Sequence, residues 1–283
     1  MNPSAEWIDH NGVLLRTGSP VLTAGNRGFR YGDGLFETLL VRNGRIRLRD
    51  RHFARLFAGI HLLRFAIPSH FTPGFLEQGI LRLCERNGHA GLARVRLVVY
   101  RGDGGLYDPQ EPDPAYLIES WPINPTEMEW NDQGLAVDIY PEGRKSCDAL
   151  ANLKSNNFLL YVLAALHARA HGLNDCLVLN THQRIADSTI ANVFFIKDRA
   201  VYTPPLPEAG VAGVMRDFLL SALPGAGFPV HERPVMAEEL LGADEVFLTN
   251  AIKGIRWVGV FRTSRYRGTL SKAIYDQLVK PLV

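Results

Sequence analysis

The hydrophobic period of this chain switches repeatedly between two and about 3.6 residues, without the strict strand–helix alternation that builds a parallel sheet. Two strand-like runs, Leu35 to Val41 and Arg45 to Leu48, flank Asn43-Gly44, a pair suited to a two-residue hairpin. Helical spacing follows from His52 to Phe65, with Phe53, Leu56, Phe57, Ile60 and Leu63 three or four apart. A second helical pattern runs from Phe75 to Arg86 and stops at Asn87-Gly88, before a strand from Leu92 to Tyr100. Beyond Gly134 the pattern predicts a strand from Leu135 to Tyr140 and a long helix from about Ser155 to His171, which Gly172 ends. Three short strands are expected at Asp175 to Asn180, Asn192 to Ile196 and Ala200 to Thr203. A helix from Val214 to Leu223 follows and Pro224 stops it; a strand, a short helix and two more strands lead to a C-terminal helix near Leu270 to Val279. The fold class this predicts is α+β.

Prolines cluster between Asp103 and Thr126 around one apolar run, Ala115 to Trp121, which reads as an edge strand followed by a linker. The expected organisation is therefore an N-terminal domain over residues 1–120, a linker at 121–130 and a C-terminal domain over 131–283, a division that 283 residues accommodate. Hydrophobic residues at 46% and charged residues at 21% are globular proportions and exclude a disordered or collagenous chain. A formal charge of +2 gives no sign of a nucleic-acid or membrane-surface partner. Cys84, Cys147 and Cys176 are too few and too scattered for a disulfide framework or a zinc site. His167 and His171 are four apart, with nothing nearby to complete a ligand set, so no metal site is expected. The N-terminus lacks the basic and apolar regions of a secretory leader, and no run is long enough to span a bilayer. A cytoplasmic protein is the expectation.

Lys154 stands in Ala151-Asn-Leu-Lys154-Ser-Asn-Asn157, where a strand gives way to a helix. A solvated surface lysine is one reading. A desolvated one would have a depressed pKa and could form an imine with an aldehyde, the chemistry of pyridoxal phosphate. Such a site also needs a carboxylate for the pyridinium nitrogen and a cup of donors for the phosphate. Asp187 lies just before the apolar run Asn192-Val-Phe-Phe195, where it is either that acid or a turn residue. Ala209-Gly-Val-Ala-Gly213-Val-Met-Arg216 is a small-residue loop feeding a helix, whose first N–H groups can bind phosphate.

With these segments the chain resembles the fold-type IV (class IV) pyridoxal-phosphate aminotransferases, a family that includes D-amino-acid transaminases, branched-chain aminotransferases and 4-amino-4-deoxychorismate lyase. The resemblance spans nearly the whole chain. It is carried by Arg27 to Glu37, by Arg51-His-Phe-Ala-Arg55-Leu, by Leu153-Lys154 with Asn157, by Asp187 to Phe194, by Tyr202-Thr-Pro-Pro with Gly210 to Arg216, and by Ala243 to Asn250.

The resemblance implies a small α/β domain, a larger domain with a β-barrel-like core, and a homodimer. It implies that Lys154 carries the cofactor and shuttles the proton between the substrate Cα and the cofactor. Arg55 would bind the phosphate, joined by the backbone of Val214 and Met215 and by Asn250. Asp187 would hold the ring nitrogen, although the family has glutamate there, one methylene longer. Met215 and Ala251 stand where relatives carry hydroxyl residues. Substrate contacts are expected from Phe36, Arg30, Arg94 and Arg96, the last two on one strand face. A branched-chain enzyme would have tyrosine at Arg94 and one more residue between lysine and asparagine. The usual D-amino-acid carboxylate trap is replaced by Leu106-Tyr-Asp108. Arg101-Gly-Asp-Gly-Gly105 and Thr249-Asn-Ala251 match the lyase, whereas Glu37-Thr38 looks like the transaminases. The expectation is a transaminase that moves an amino group between an amino acid, leaning to the D-series, and a 2-oxo acid. The lyase, releasing pyruvate and 4-aminobenzoate, is the alternative.

Overall fold

The computed structural model describes residues 6–109 and 113–282; residues 1–5, part of the N-terminus where no secretory leader is expected, lie outside them. The chain forms two compact units, one built from the chain up to Met128 together with Lys154–Asn157, the other from Glu129–Leu153 and Phe158 onward. Helices and strands are mixed in both, which makes the fold α+β.

The first unit contains β1 (Trp7–His10), β2 (Val13–Arg16), α1 (Arg27–Tyr31), β3 (Gly34–Arg42), β4 (Arg45–Ile46), α2 (Arg49–Leu62), α3 (Pro73–Arg86), β5 (Leu92–Arg101) and β6 (Pro114–Pro122). Its six strands lie in the order β2-β1-β6-β5-β3-β4. The β3–β4 hairpin turns at Asn43-Gly44, with φ of 49° and 71°, the left-handed pair that matches strand twist. Helices α2 and α3 cover one sheet face and bury Leu39, Val95, Leu97 and Ile118 against Leu56, Ile60 and Leu83. The opposite face carries Phe36 and Thr38 of β3, Arg94 and Arg96 of β5, and Glu119 and Trp121 of β6, because paired residues share a side.

The expected edge strand is an interior one. Strand β6 pairs with β5 along its whole length and with β1 at Leu117 and Ile118. Its prolines stand only at its ends, so the donors between them are intact for pairing on both sides.

The second unit contains β7 (Leu135–Lys145), α4 (Leu159–Ala170), β8 (Asp175–Asn180), β9 (Ile185–Ser188), β10 (Asn192–Lys197), β11 (Ala200–Thr203), α5 (Val214–Ala222), β12 (Val230–Glu232), α6 (Ala237–Leu241), β13 (Glu245–Asn250), β14 (Gly254–Phe261), β15 (Ser264–Arg265) and α7 (Thr269–Ile274). A nine-stranded sheet runs β12-β11-β10-β13-β14-β7-β8-β9, with β15 beside β14. It curls round a core of Leu177, Leu179, Val193, Phe195, Val246, Leu248 and Val258. The curl nearly closes: the Ile185 N–H donates to the Val235 carbonyl at 2.8 Å, and Arg184 bridges Met236. The barrel-like core expected of the larger domain is this sheet.

The helix expected from Ser155 begins instead at Leu159. Residues 154–157 are extended along β3: the Phe36 N–H donates to the Lys154 carbonyl at 2.9 Å, and the Asn156 N–H to the Gly34 carbonyl at 2.9 Å. Backbone groups used this way cannot start a helix. Gly34 permits the approach, since a Cβ there would lie 2.5 Å from the Val99 carbonyl oxygen and 2.7 Å from Asn156 Nδ2.

Candidate active site

Candidate residues fall in both units, and each group is built by its own elements. In the first unit, the extended segment after Leu153 lays the half-buried Lys154 over the Phe36 ring, its Nζ 4.2 Å from the centroid. Across the same sheet face the Arg96 guanidinium stands 3.9 Å from that ring. Two cations on one aromatic side chain form an electropositive patch. Burial lowers the Arg96 pKa, and its strand neighbour Glu119 opposes that. Arg94 shares the face but is exposed, over Trp121. Arg30 is exposed and its Nε donates to the Ala24 carbonyl at 2.7 Å. The structure thus gathers Lys154, Phe36 and Arg96 and leaves Arg30 and Arg94 at the surface.

Arg55 belongs to a different cluster. It reaches from α2 to Glu37, whose side chain points to the helix-covered face, opposite Phe36. Its Nε donates to Glu37 Oε1 at 2.8 Å and its Nη2 to Oε2 at 2.5 Å, while His52 Nδ1 lies 2.6 Å from Oε2. Burial would raise the Glu37 pKa, but Arg55 and His52 together hold it down to about 2. Two of the guanidinium's donors are therefore fixed by the sheet.

In the second unit, Asp187 lies on β9 opposite Val178 of β8, on the side that packs against α4. It is a strand residue rather than a turn. Its Oδ2 accepts from the Tyr161 hydroxyl at 2.7 Å, from the Val211 N–H at 2.9 Å and from Lys145 Nζ at 3.4 Å. Its Oδ1 is buried with no hydrogen-bond partner. Burial raises the Asp187 pKa, against the opposing pull of Lys145, Val211 and Tyr161.

The loop after Glu208 continues from Val211 to α5. Glu208 is anchored by Asn180 Nδ2 at 2.7 Å and Arg184 Nε at 2.6 Å, and Asn152 Nδ2 holds the Leu206 and Gly210 carbonyls at 2.8 and 2.6 Å. Helix α5 starts at Val214 after Gly213, with no side-chain cap on its first N–H groups. Only glycine serves at 213, since a Cβ would sit 1.9 Å from Asn192 Oδ1. Thr249, paired with Asn192 across β10 and β13, is buried and its hydroxyl has no partner. Asn250 turns its side-chain oxygen onto the N–H groups of Ile252 and Lys253, at 3.0 and 2.8 Å.

Residues 34–259 match the family described as amino-transferase class IV. The chain belongs to the class IV aminotransferase family. Aminodeoxychorismate lyase of Vibrio harveyi is 29% identical over 233 residues, 82% of this chain and 84% of that one. D-alanine aminotransferase of Bacillus licheniformis is 25% identical over 253 residues, 85% and 83% of the two chains. The fold is that of the branched-chain aminotransferase of Thermoproteus uzoniensis, with a TM-score of 0.88 at 22% identity over 98% of this chain and 94% of that one. Class IV aminotransferases work with pyridoxal 5′-phosphate, and this chain is an enzyme of that class.

The residues present suit that cofactor. An acid with one bare, buried oxygen can take the proton-bearing ring nitrogen, and an uncapped helix start can take the phosphate. The sequence pointed to Lys154, Asp187 and the loop before Val214. It gave no sign of Lys145 or Tyr161, and it offered Thr249, Glu37 and His52 only as parts of motifs, without the buried hydroxyl or the clamp on Arg55. No single segment holds such a group: each depends on chain brought together from 16 to 57 positions away or, for the clamp, on a helix folded back on its sheet.

Proposed function

We propose that this enzyme is a transaminase that moves an amino group between an amino acid and a 2-oxo acid, with Lys154 as the catalytic residue. The observation that carries this reading is the unpartnered, buried Oδ1 of Asp187, an acid whose other oxygen accepts from the Val211 N–H in the loop that leads to the uncapped start of α5. The cofactor supplies an electron sink that makes the substrate's Cα–H labile. Asp187 keeps the ring nitrogen protonated. Val214 and Met215 offer backbone donors to the phosphate, with Arg55 as its cation and Asn250 and Thr249 as side-chain donors. Lys154 holds the cofactor and then, as a free amine, moves the proton at Cα.

Arg96 is assigned to the substrate carboxylate, since it shares the Phe36 ring with Lys154. Arg94 and Arg30 reach substrate only from exposed positions. A D-amino acid is the preferred donor in this reading, supported by the absence of the branched-chain features at Arg94 and after Lys154. A homodimer in the cytoplasm is the expected state of the enzyme, and the two units are expected to act as an N-terminal and a C-terminal domain joined near residues 121–130. The lyase reaction is the second reading, favoured by the 29% identity to the Vibrio harveyi enzyme.

Purified protein given pyridoxal phosphate should show an absorption band at about 410–420 nm that Lys154→Ala lacks. Supplied with D-alanine and 2-oxoglutarate, it should form pyruvate and glutamate. Pyruvate and 4-aminobenzoate from aminodeoxychorismate, with no turnover of D-alanine or L-leucine, would replace the transaminase reading by the lyase one.

A further inference from the structure

A second lysine, separate from Lys154, stands at the acid. Lys145 ends β7, and its side chain is only 10% exposed. Its position comes from a bulge: Ile139 faces Leu177 and Arg144 faces Leu179, so Tyr140 to Gly143 stand against Val178 alone. This irregularity brings Lys145 beside Asn180 at the end of β8 and onto the β9 acid. Its three protons are all engaged, by the Ala151 carbonyl at 3.2 Å, the Tyr161 hydroxyl at 2.5 Å and Asp187 Oδ2 at 3.4 Å. An ammonium so held is a fixed charge and not a nucleophile.

We propose that Lys145, together with Tyr161, is the positioning pair for Asp187: it keeps this acid ionised and fastened by Oδ2, so that Oδ1 is presented to the cofactor's ring nitrogen. The inference rests on the proposed function for the identity of the ligand, but its residues are this chain's own. An isolated carboxylate taken out of water protonates, and a protonated Asp187 could no longer hold a pyridinium. The neighbouring cation opposes that. The hydroxyl of Tyr161 accepts from Lys145 and donates to Asp187, so the charge is relayed as well as felt directly. All three donors on Asp187 converge on one oxygen, which locks the rotation of a side chain one methylene shorter than the family's glutamate. The third donor, the Val211 N–H, belongs to the loop that leads into α5, so acid and phosphate loop share a hydrogen bond.

The test uses the full-length protein and compares wild type with Lys145→Met, Lys145→Arg and Tyr161→Phe. Pyridoxal phosphate is titrated into each, and affinity is read from absorbance across pH. The titratable groups facing Asp187 are Lys145 on β7 and Tyr161 on α4, and the loop adds only a backbone N–H. Removing the cation should therefore raise the pH at which binding is lost on acidification. Lys145→Met should bind about tenfold more weakly or worse, with that acid limb moved upward, while Lys145→Arg stays within a few-fold of wild type. Tyr161→Phe should fall between them; it also decides the matter if Lys145→Met does not fold. Binding by Lys145→Met and Tyr161→Phe equal to wild type with an unmoved acid limb would overturn the inference. So would Lys145→Arg as weak as Lys145→Met, since that would mark a packing role. A wild type that takes up no cofactor would instead overturn the proposed function.

Discussion

Glu37 in the first unit and Asp187 in the second are both buried acids facing a cation, yet burial ends differently for the two. Both oxygens of Glu37 are occupied, by the planar fork of Arg55 and by His52, and its pKa falls to about 2. Asp187 faces a lysine, a point charge that meets one oxygen; the other is bare and the pKa rises. A saturated acid returns its desolvation as stability. A half-satisfied one costs stability until a ligand completes it, which is what a binding site requires and a structural pair does not.

The largest effect expected from this contrast is on folding. Glu37→Gln leaves Arg55 buried without its counter-charge, and urea unfolding should show a loss of about 3 kcal/mol. The pH dependence has a fixed sign. Because the folded pKa lies below the ordinary 4.5, the contribution of Glu37 is whole above that value and disappears as pH falls from there towards about 2. Wild type should lose stability across that window more steeply than the variant. Parallel curves would mean that Glu37 is not the strained-down acid described here.

Asp187→Asn should reverse the pattern. Affinity for pyridoxal phosphate should drop about 30-fold, roughly 2 kcal/mol, while the unfolding free energy without cofactor changes less than in Glu37→Gln. The comparison breaks if Asp187→Asn proves the more destabilising of the two.

What the sequence made legible was local. Asn43-Gly44 announced its hairpin because the turn's dihedrals are chosen by those two residues. The loop before Val214 was visible because glycine at 213 answers a steric demand next to a helix start. Lys145, Tyr161 and Asp187 were not legible as a group, since β7, α4 and β9 meet only through a strand bulge and helix packing that no nearby residue encodes. Helix α4 starts later than its sequence suggests for a related reason: the propensity of residues 155–158 loses to backbone pairing with β3, more than a hundred positions earlier. Strand β6 is interior although its flanking prolines suggest an edge, because its second neighbour is β1, from far along the chain.

The smallest predicted effect tests the same distinction at a neutral group. Thr249 is buried, and its hydroxyl lacks a partner on the face it shares with Asn192, the residue that crowds Gly213. A hydroxyl held in that state destabilises the empty protein, because water solvated it in the unfolded chain and nothing replaces that water. Thr249→Val keeps the shape and removes the penalty, so the cofactor-free protein should gain about 1 kcal/mol in urea unfolding. The same change should weaken pyridoxal phosphate binding a few-fold, since a donor near the α5 start is gone; Met215 and Ala251 have no hydroxyl to replace it. Stability rising while affinity falls is the signature of a group kept for a ligand. If both fall together, Thr249 is bonded within the protein and belongs with Glu37, on the structural side of the comparison.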